Sequence, residues 1–306
     1  MHYSVLLKES VELLDIEPDG IYIDGTFGRG GHSGEILKCL GAKGRLLAFD
    51  RDPDAIAYGQ QKFSNEARLT LIHAAFSSMY DYCEDEGLLG KVDGILLDLG
   101  VSSPQLDEAG RGFSFMRDGP LDMRMDPTFK EPVSEILKEI SREDLSTVFK
   151  KYGEEKYAWS IAGAIKDALA RGVVIDRTLV LADIIEQQVS RKEKKHPATR
   201  CFQALRIYVN EELLELEKVL ESFTPILKKG GRISIISFHS LEDRMVKNYL
   251  NKEVAGTDQE FPRGLPLPSY VQPKFKWVKK KLKASKDELD ENTRSRSAVL
   301  RGAEKL

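Results

Sequence analysis

The sequence predicts an α/β protein with a parallel sheet covered by helices and an all-helical region inserted into it. Short apolar runs alternate with stretches of helical pattern, the first run leads into a glycine-rich turn, and the middle of the chain is strongly helical. Near-continuous apolar runs are typical of strands that helices bury on both faces. Alternation of strand and helix implies right-handed crossovers and therefore a parallel sheet.

Seven segments have strand character, and they fall into two groups. Five apolar runs are predicted as the parallel strands: Ile21–Asp24, Arg45–Asp50, Leu69–His73, Asp93–Asp98 and Arg232–Ser237. Two later segments, Lys274–Trp277 and Ser297–Arg301, are predicted as edge strands, where alternating lysines discourage unwanted pairing.

The stretch between Asp98 and Arg232 is too long for one crossover and carries the helical pattern. Helices are predicted over Val133–Ile140, Arg142–Lys150, Lys156–Arg171, Leu179–Ser190 and Phe202–Leu220. We therefore predict a sheet domain in two parts, residues 1–104 and 212–306, with a helical subdomain inserted at 105–211. The proline-containing stretch 256–273 is predicted as a loop.

Composition places the chain among ordinary globular proteins. Its 306 residues are 41% hydrophobic and 31% charged, which suffices for a buried core without cross-links. No apolar run approaches the about 20 residues of a membrane span, and residues 1–14 do not resemble a cleavable signal, so we expect a cytoplasmic protein with no membrane partner. Cys39, Cys83 and Cys201 form no disulfide or metal pattern and are predicted as reduced thiols.

The turn after the first strand predicts a nucleotide site. Asp24 is followed by glycines at 25, 28, 30 and 31, and strand, glycine turn and helix build such sites in parallel sheets. The dinucleotide pattern G-x-G-x-x-G fails, because its sixth position counted from Gly28 is Ser33. Glycines four and six residues after an acid fit a variant loop for S-adenosylmethionine (SAM), with Thr26 where the general pattern has glycine.

Two further acids are predicted at this site because they end neighbouring strands, where ligands of such sheets bind. Asp50 can accept both ribose hydroxyls of an adenosine. Asp98 precedes the turn Ser103-Pro104-Gln105, which is similar to the acid- or serine-plus-proline turn of amino-group methyltransferases. Acceptors held against the N–H bonds of an exocyclic amine favour its reactive, pyramidal form.

The net charge is only −3, but basic residues cluster locally. Val271–Lys286 contains seven lysines and no acid, and Arg191–His196 precedes Arg200 and Arg206. Basic patches on a nearly neutral protein suit a specific polyanion bound to one face. A solvated face is the alternative for either patch.

Long stretches of the chain closely resemble the bacterial small-subunit rRNA (cytosine-N4)-methyltransferase family, called RsmH or MraW. The matching stretches are Asp24–Ser33, Asp50–Pro53, Asp98–Asp107, Arg111–Asp126, Tyr152–Glu155, His196–Arg206 and Gly230–Arg244. The sequence departs from the usual family pattern at Ser4, Cys201 and Thr293.

The resemblance implies a class I (Rossmann-like) SAM-dependent methyltransferase sheet with an inserted all-helical subdomain for substrate recognition. It implies N4-methylation of one cytidine in the decoding region of 16S rRNA, within the 30S subunit, with SAM as methyl donor and no metal; a homodimer stays open. Family SAM contacts match Gly30, Gly31, His32, Asp50, Phe76, Asp98 and Gln105. Candidate catalytic residues are Asp98, Ser103, His239 and Asp243.

The target cytidine must leave any stack, so aromatic or arginine side chains are expected to receive it. The candidates are Phe113, Phe115, Arg117, Arg124, Arg200 and Arg206, while Lys279, Lys280 and Lys281 are expected to contact the phosphate backbone. Three alternatives stay open: a nicotinamide dehydrogenase, a non-enzymatic RNA-binding or assembly factor, and a cytosine-N4 enzyme acting on DNA.

Overall fold

The computed structural model describes residues 4–189, 196–257 and 272–306. Its backbone contacts divide the chain into two compact units, one formed by Met1–Gly100 with Leu213–Leu306 and the other by Val101–Glu212. Most of the basic cluster 191–196 and of the predicted loop 256–273 lie outside the described residues.

The first unit is built on one sheet. The strands found in the described ranges are β1 (Ile21–Asp24), β2 (Arg45–Asp50), β3 (Leu69–His73), β4 (Val92–Asp98), β5 (Leu227–Ser237), β6 (Phe275–Leu282) and β7 (Val299–Lys305). Their order is β3-β2-β1-β4-β5-β7-β6, with β1 to β5 parallel. The five predicted parallel strands are confirmed, although β5 begins at Leu227 rather than Arg232.

The prediction that both C-terminal segments are edge strands is wrong for one of them. Strand β7 lies between β5 and β6 and is antiparallel to both, so only β6 forms this edge. Val299–Ala303 are buried, whereas β6 exposes its lysines. A strand buried along its length needs a partner on each side to satisfy its backbone groups, which explains the interior place of β7.

Helices cover the sheet and form the second unit. They are α1 (Leu7–Leu14), α2 (Gly31–Cys39), α3 (Pro53–Lys62), α4 (Met79–Asp85), α5 (Ser103–Asp107), α6 (Val133–Glu139), α7 (Arg142–Gly153), α8 (Ala158–Ala170), α9 (Thr178–Glu186), α10 (Ala198–Asn210), α11 (Glu212–Ile226), α12 (Ser240–Ala255) and α13 (Lys286–Glu291). In the described part of the chain, no helix is long and apolar enough to cross a membrane. All three cysteines are free thiols, as predicted.

The core of the first unit lies between the sheet and its helices. Ile23, Leu47, Ile95 and Ile235, one from each of four parallel strands, are fully buried together with Phe223 of α11. Burial of these apolar side chains fixes the order of the central strands, because each side chain contributes about 1.5–3 kcal/mol when removed from water. The carboxyl ends of β1, β2 and β4 are thereby held side by side.

The helices of the second unit agree with the sequence patterns except at one place. The predicted single helix Phe202–Leu220 is wrong, since α10 ends at Asn210 and α11 begins at Glu212. Glu211 between them has φ 52°, in the left-handed region. A residue in that conformation ends a helix because the chain leaves the helical axis. Its polar side chain gave no glycine-like signal for the break.

One buried amide holds the long loop 111–126 on α10. Asn210 is 1% exposed, and its Nδ2 donates to the Met123 carbonyl at 2.8 Å. Its Oδ1 accepts the Met125 N–H at 2.8 Å. Met123 has φ 65°, a conformation that is uncommon for a non-glycine residue. Asn210 therefore stabilises a backbone conformation that costs energy by itself.

Replacing Asn210 with alanine should lower the free energy of unfolding by about 2–4 kcal/mol, because a buried N–H and a buried carbonyl lose their partner. Urea denaturation measures the change. Asn65→Ala, at an exposed position, is the matched control and should stay within about 0.5 kcal/mol of the parent. Equal denaturation midpoints for the two variants would contradict the assigned role.

Candidate active site

The loop after β1 has a backbone that requires glycine. Gly28 has φ 54° and Gly30 φ 67°, and α2 begins at Gly31. A Cβ atom on Gly30 would lie 2.7 Å from the Phe63 ring and 2.8 Å from the Phe27 ring. The glycines therefore permit a tight turn whose backbone packs directly on aromatic side chains.

Asp24, the last residue of β1, organises this loop from inside. Its side chain is fully buried, Oδ2 accepts the Ser33 hydroxyl at 2.6 Å, and Oδ1 accepts the Thr26 N–H at 3.0 Å. Burial raises the pKa of Asp24. Because both oxygens are bound to the loop itself, Asp24 connects the turn to the start of α2 rather than facing a ligand.

Asp50, at the end of β2, connects the loop to the neighbouring strand. Its Oδ2 accepts the Gly28 N–H at 2.7 Å, and its Oδ1 accepts the Asp52 N–H at 2.8 Å. Burial raises the pKa of Asp50 to about 6. Each carboxylate oxygen has a second lone pair, so the oriented carboxylate can still accept hydroxyl groups. This fits the predicted ribose contact.

Asp98, at the end of β4, has one carboxylate oxygen that no described residue contacts by a hydrogen bond. His32 Nδ1 lies 3.6 Å from Asp98 Oδ2, and His32 Nε2 lies 3.2 Å from the Val5 carbonyl oxygen. Asp98 Oδ1 is buried and has no hydrogen-bond partner among the described residues. Burial raises the pKa of Asp98 to about 6, although the nearby His32 opposes the shift. A buried acceptor without a partner is costly unless a ligand supplies one.

Phe76 follows strand β3, and Gly31 follows the loop after strand β1. Phe76 begins a short 3₁₀ helix after β3, and a Cβ on Gly25 would lie 3.2 Å from its Cβ atom. Phe76 is partly buried against the core. A Cβ on Gly31 would lie 1.9 Å from the Ser4 hydroxyl oxygen, so the N-terminal segment packs on this glycine.

Ser103 and Gln105 belong to the second unit. Ser103 is the first residue of the short helix α5. Gln105 is 4% exposed, and its Oε1 accepts the Ser102 N–H at 2.9 Å as part of a capping box. The proline turn predicted after Asp98 is therefore a capped helix start.

His239 and Asp243, two of the candidate catalytic residues, both have side-chain partners within the first unit. His239 caps α12, where its Nδ1 accepts the Glu242 N–H at 3.4 Å and its Nε2 lies 3.0 Å from Glu242 Oε1. Both oxygens of Asp243 accept hydrogen bonds from Arg301, at 2.7 and 3.0 Å. These contacts give both side chains structural partners, which assigns them to holding α12 in place.

Two arginines predicted to contact RNA are bound inside the second unit. Arg124 donates from Nε and Nη2 to both oxygens of Asp122, at 2.7 and 2.9 Å, and from Nη1 to two backbone carbonyls. Arg206 donates to both oxygens of Glu212 at 2.8 Å, with 14% of its side chain exposed. Such bidentate pairs are costly to break. Both guanidinium groups are therefore engaged within the second unit, and their contact with the base stays a prediction.

The other RNA candidates differ in exposure. Phe113 is 6% exposed and belongs to the interior, so its contact with the base stays a prediction. Phe115 is partly buried, and its ring centroid lies 4.8 Å from that of Phe202 and 4.7 Å from that of His196. Arg117 is exposed, and 40% of the Arg200 side chain is exposed. Lys279, Lys280 and Lys281 are all exposed on the edge strand β6.

The strand order and these strand ends define the class of the protein. The order 3-2-1-4-5 is shared with dinucleotide-binding sheets, but here antiparallel β7 follows β5, and the glycine loop lacks the dinucleotide pattern. The chain is a class I SAM-dependent methyltransferase, which confirms the predicted fold class and excludes the alternative of a nicotinamide dehydrogenase.

Comparison with known proteins identifies the family. A family model described as the MraW methylase family matches residues 1–306. The chain is 56% identical over 309 residues to ribosomal RNA small subunit methyltransferase H of Francisella tularensis subsp. novicida (strain U112), covering 100% of both chains. It is 54% identical over 307 residues to the protein of that name from Francisella philomiragia subsp. philomiragia, covering 100% of this chain and 99% of the relative. The chain belongs to the MraW methylase family.

A solved structure, an rRNA methylase from Streptococcus thermophilus, overlaps with a TM-score of 0.43 at 13% identity, covering 100% of this chain and 99% of the other. The family assignment rests on the sequence matches, which extend over the whole chain.

The affinity for SAM should rise with pH and level off above pH 7. Asp50 and Asp98 have pKa values raised to about 6, so each side chain is mostly protonated at pH 5. A carboxyl group must lose its proton before both of its oxygens can accept hydrogen bonds from a ligand. If one ionisation is required, affinity at pH 5 is about tenfold weaker than at pH 8. Isothermal titration with SAM measures this.

The variant Asp50→Asn should bind SAM more weakly at pH 8 and lose part of the pH dependence. Asp19→Asn, at an exposed position of the same unit, should leave the profile unchanged. An affinity that falls as pH rises from 5 to 7 would show that these carboxyl groups are not required in their ionised form.

Proposed function

We propose that this chain transfers a methyl group from SAM to N4 of one cytidine in the decoding region of 16S rRNA. The full-length relatives named ribosomal RNA small subunit methyltransferase H support the substrate class. The observation that carries the chemistry is the buried Oδ1 of Asp98, which has no partner among the described residues and lies at the end of β4.

The residues at the strand ends fit SAM by the chemistry of their donors and acceptors. Asp50 offers acceptors for ribose hydroxyls, Phe76 is a partly buried apolar side chain after β3, and we keep Gly30 and Gly31 as proposed contacts. His32 and Asp98 add polar groups next to the loop, and we keep Gln105 as a proposed contact. When bound, SAM supplies an electrophilic methyl group.

Asp98 is the residue that we propose to act on the amine. Its unpartnered Oδ1 can accept an N–H of the exocyclic amine, which orients the nitrogen and favours the pyramidal form in which the lone pair is available. With a pKa of about 6, Asp98 is ionised near neutral pH and is therefore an acceptor. The proton lost from the methylated nitrogen passes to water, so no separate general base and no covalent enzyme intermediate are needed.

We propose that the helical unit recognises the RNA and that β6 contacts its phosphates. The candidates in the helical unit are the exposed side chains of Arg117 and Arg200 and the partly buried side chain of Phe115. Ser103, in the turn after β4, is kept as a proposed contact to the amine. The substrate is proposed to be the assembled small subunit in the cytoplasm.

Mass mapping of small-subunit rRNA nucleosides from cells with and without this protein tests the function. We expect loss of one N4-methylcytidine, restored by the parent protein and not by Asp98→Ala, because removal of one oriented acceptor lowers kcat by about 10²–10³-fold. An unchanged map would refute the proposed substrate. Methylation of purified DNA with an unchanged rRNA map would favour the DNA enzyme instead.

The lysines of β6 should contribute affinity without affecting SAM. Replacing Lys279, Lys280 and Lys281 with alanine should weaken binding to the small subunit and reduce the slope of log affinity against log salt by about 2, since each phosphate contact contributes about 0.7–0.9. Binding assays at several salt concentrations measure the slope. The matched control replaces three other exposed lysines of the same unit, Lys38, Lys43 and Lys247; equal slopes for the two triple variants would contradict a specific contact.

A further inference from the structure

At their carboxyl ends, strand β4 extends two residues beyond its last paired position with strand β1. Their paired register ends with Asp24 opposite Leu96, and the Gly25 N–H donates to the Leu96 carbonyl at 2.9 Å. On the other side of β4, the Leu99 N–H donates to the Ile236 carbonyl of β5 at 3.0 Å. Successive residues of a strand direct their backbone groups to opposite neighbours. The Asp98 N–H therefore points towards β1, at a level that β1 no longer reaches.

A side chain takes the place of the missing strand. Thr26 Oγ1 accepts the Asp98 N–H at 2.6 Å. Thr26 is itself fixed, because its N–H donates to Asp24 Oδ1 at 3.0 Å, while Asp24 Oδ2 accepts the Ser33 hydroxyl at 2.6 Å. A fully buried carboxylate thus holds the threonine that holds the end of β4.

We propose that Thr26 is a positioning residue, whose hydroxyl fixes the backbone of Asp98 and thereby the carboxylate that receives the amine. The inference rests on the proposed function for its effect on catalysis, whereas the hydrogen bond itself does not depend on it. Asp98 is held in this way with Oδ2 towards His32 and Oδ1 free of protein partners among the described residues.

This role explains the unusual order of residues in the loop. The general SAM loop has glycine two residues after the acid, whereas this chain has glycine at 25 and threonine at 26. A Cβ on Gly25 would lie 2.3 Å from the Leu97 side chain, so the close approach occurs one residue earlier. The next position is then available for a side chain, and its hydroxyl continues the hydrogen bonding of the β1–β4 pair.

Two variants separate the hydroxyl from the shape of the side chain. Thr26→Val has nearly the same shape and no acceptor, while Thr26→Ser keeps the hydroxyl. Amide hydrogen exchange of the parent and both variants, without SAM or RNA, reports on the bond directly. We expect the Asp98 amide to lose about 10–100-fold of protection in Thr26→Val and to keep it in Thr26→Ser, with the Leu99 amide unchanged in both.

The catalytic consequence is measured on the rRNA of assembled small subunits under single-turnover conditions. Thr26→Val should lower the methyl-transfer rate by about 10–100-fold with KM for the rRNA within about threefold of the parent, and Thr26→Ser should restore the rate. In an Asp98→Ala background the valine substitution should have little further effect, because the two residues act as one unit.

Unchanged exchange at Asp98 in Thr26→Val would overturn the inference, as would a parental transfer rate in a variant whose Asp98 amide is deprotected. If the parent itself fails to methylate the rRNA of assembled small subunits, the proposed function falls. In that case, amide hydrogen exchange in Thr26→Val and Thr26→Ser still tests whether Thr26 holds the backbone of Asp98.

Discussion

The site depends on how the central pair of strands ends. Strand β1 stops at Asp24, opposite Leu96, while β4 continues to Asp98. Beyond that point, backbone groups of β4 and of the glycine loop are buried without a ladder, and each buried donor needs a partner. The partners are the side chains of Asp24, Thr26 and Asp50, which all bind backbone N–H groups at the strand ends. The positions of these side chains at the strand ends follow from the hydrogen bonds that they accept from the backbone.

The carboxyl groups of Asp24, Asp50 and Asp98 lie close together, so their negative charges repel one another. Burial is the main cause of the raised pKa of Asp24, Asp50 and Asp98, and the charge of Asp24 adds to the shift at the other two. Hydrogen bonds from the loop offset this at Asp24 and Asp50. Asp98 has fewer partners than the other two acids. His32 lies 3.6 Å from one of its carboxylate oxygens, and the other oxygen has no hydrogen-bond partner among the described residues. It is the acid of the three that gains most from a ligand.

Much of the sheet could be predicted because its signals are local. The runs Ile21–Asp24 and Arg45–Asp50 are strands with the predicted ends, since buried parallel strands are nearly continuous apolar sequence. The helix break at Glu211 could not be predicted, because a glutamate in the left-handed region leaves no mark in the sequence. The interior place of β7 depends on pairing between distant segments, which local patterns do not specify.

The same reasoning explains the outcome for the site residues. The glycines and the strand-end acids follow from position along the chain. The pairing of Arg124 with Asp122 and of Arg206 with Glu212 depends on side-chain geometry, so the sequence could not predict these ion pairs. The sequence showed that Thr26 stands where glycine is usual. The reason for this residue became clear only from the structure, in which β4 extends further than β1.

The basic edge strand shows how one feature serves two requirements. Strand β6 is the edge of the sheet, and exposed lysines on an edge oppose pairing with another chain. The strand is also held firmly, since Arg301 of β7 binds the Lys280 carbonyl with one nitrogen and Asp243 of α12 with two others. Exposed lysines on this strand are the ones that we propose to contact RNA phosphates. Asp243 therefore helps to hold the strand that carries these charges, through its pairing with Arg301.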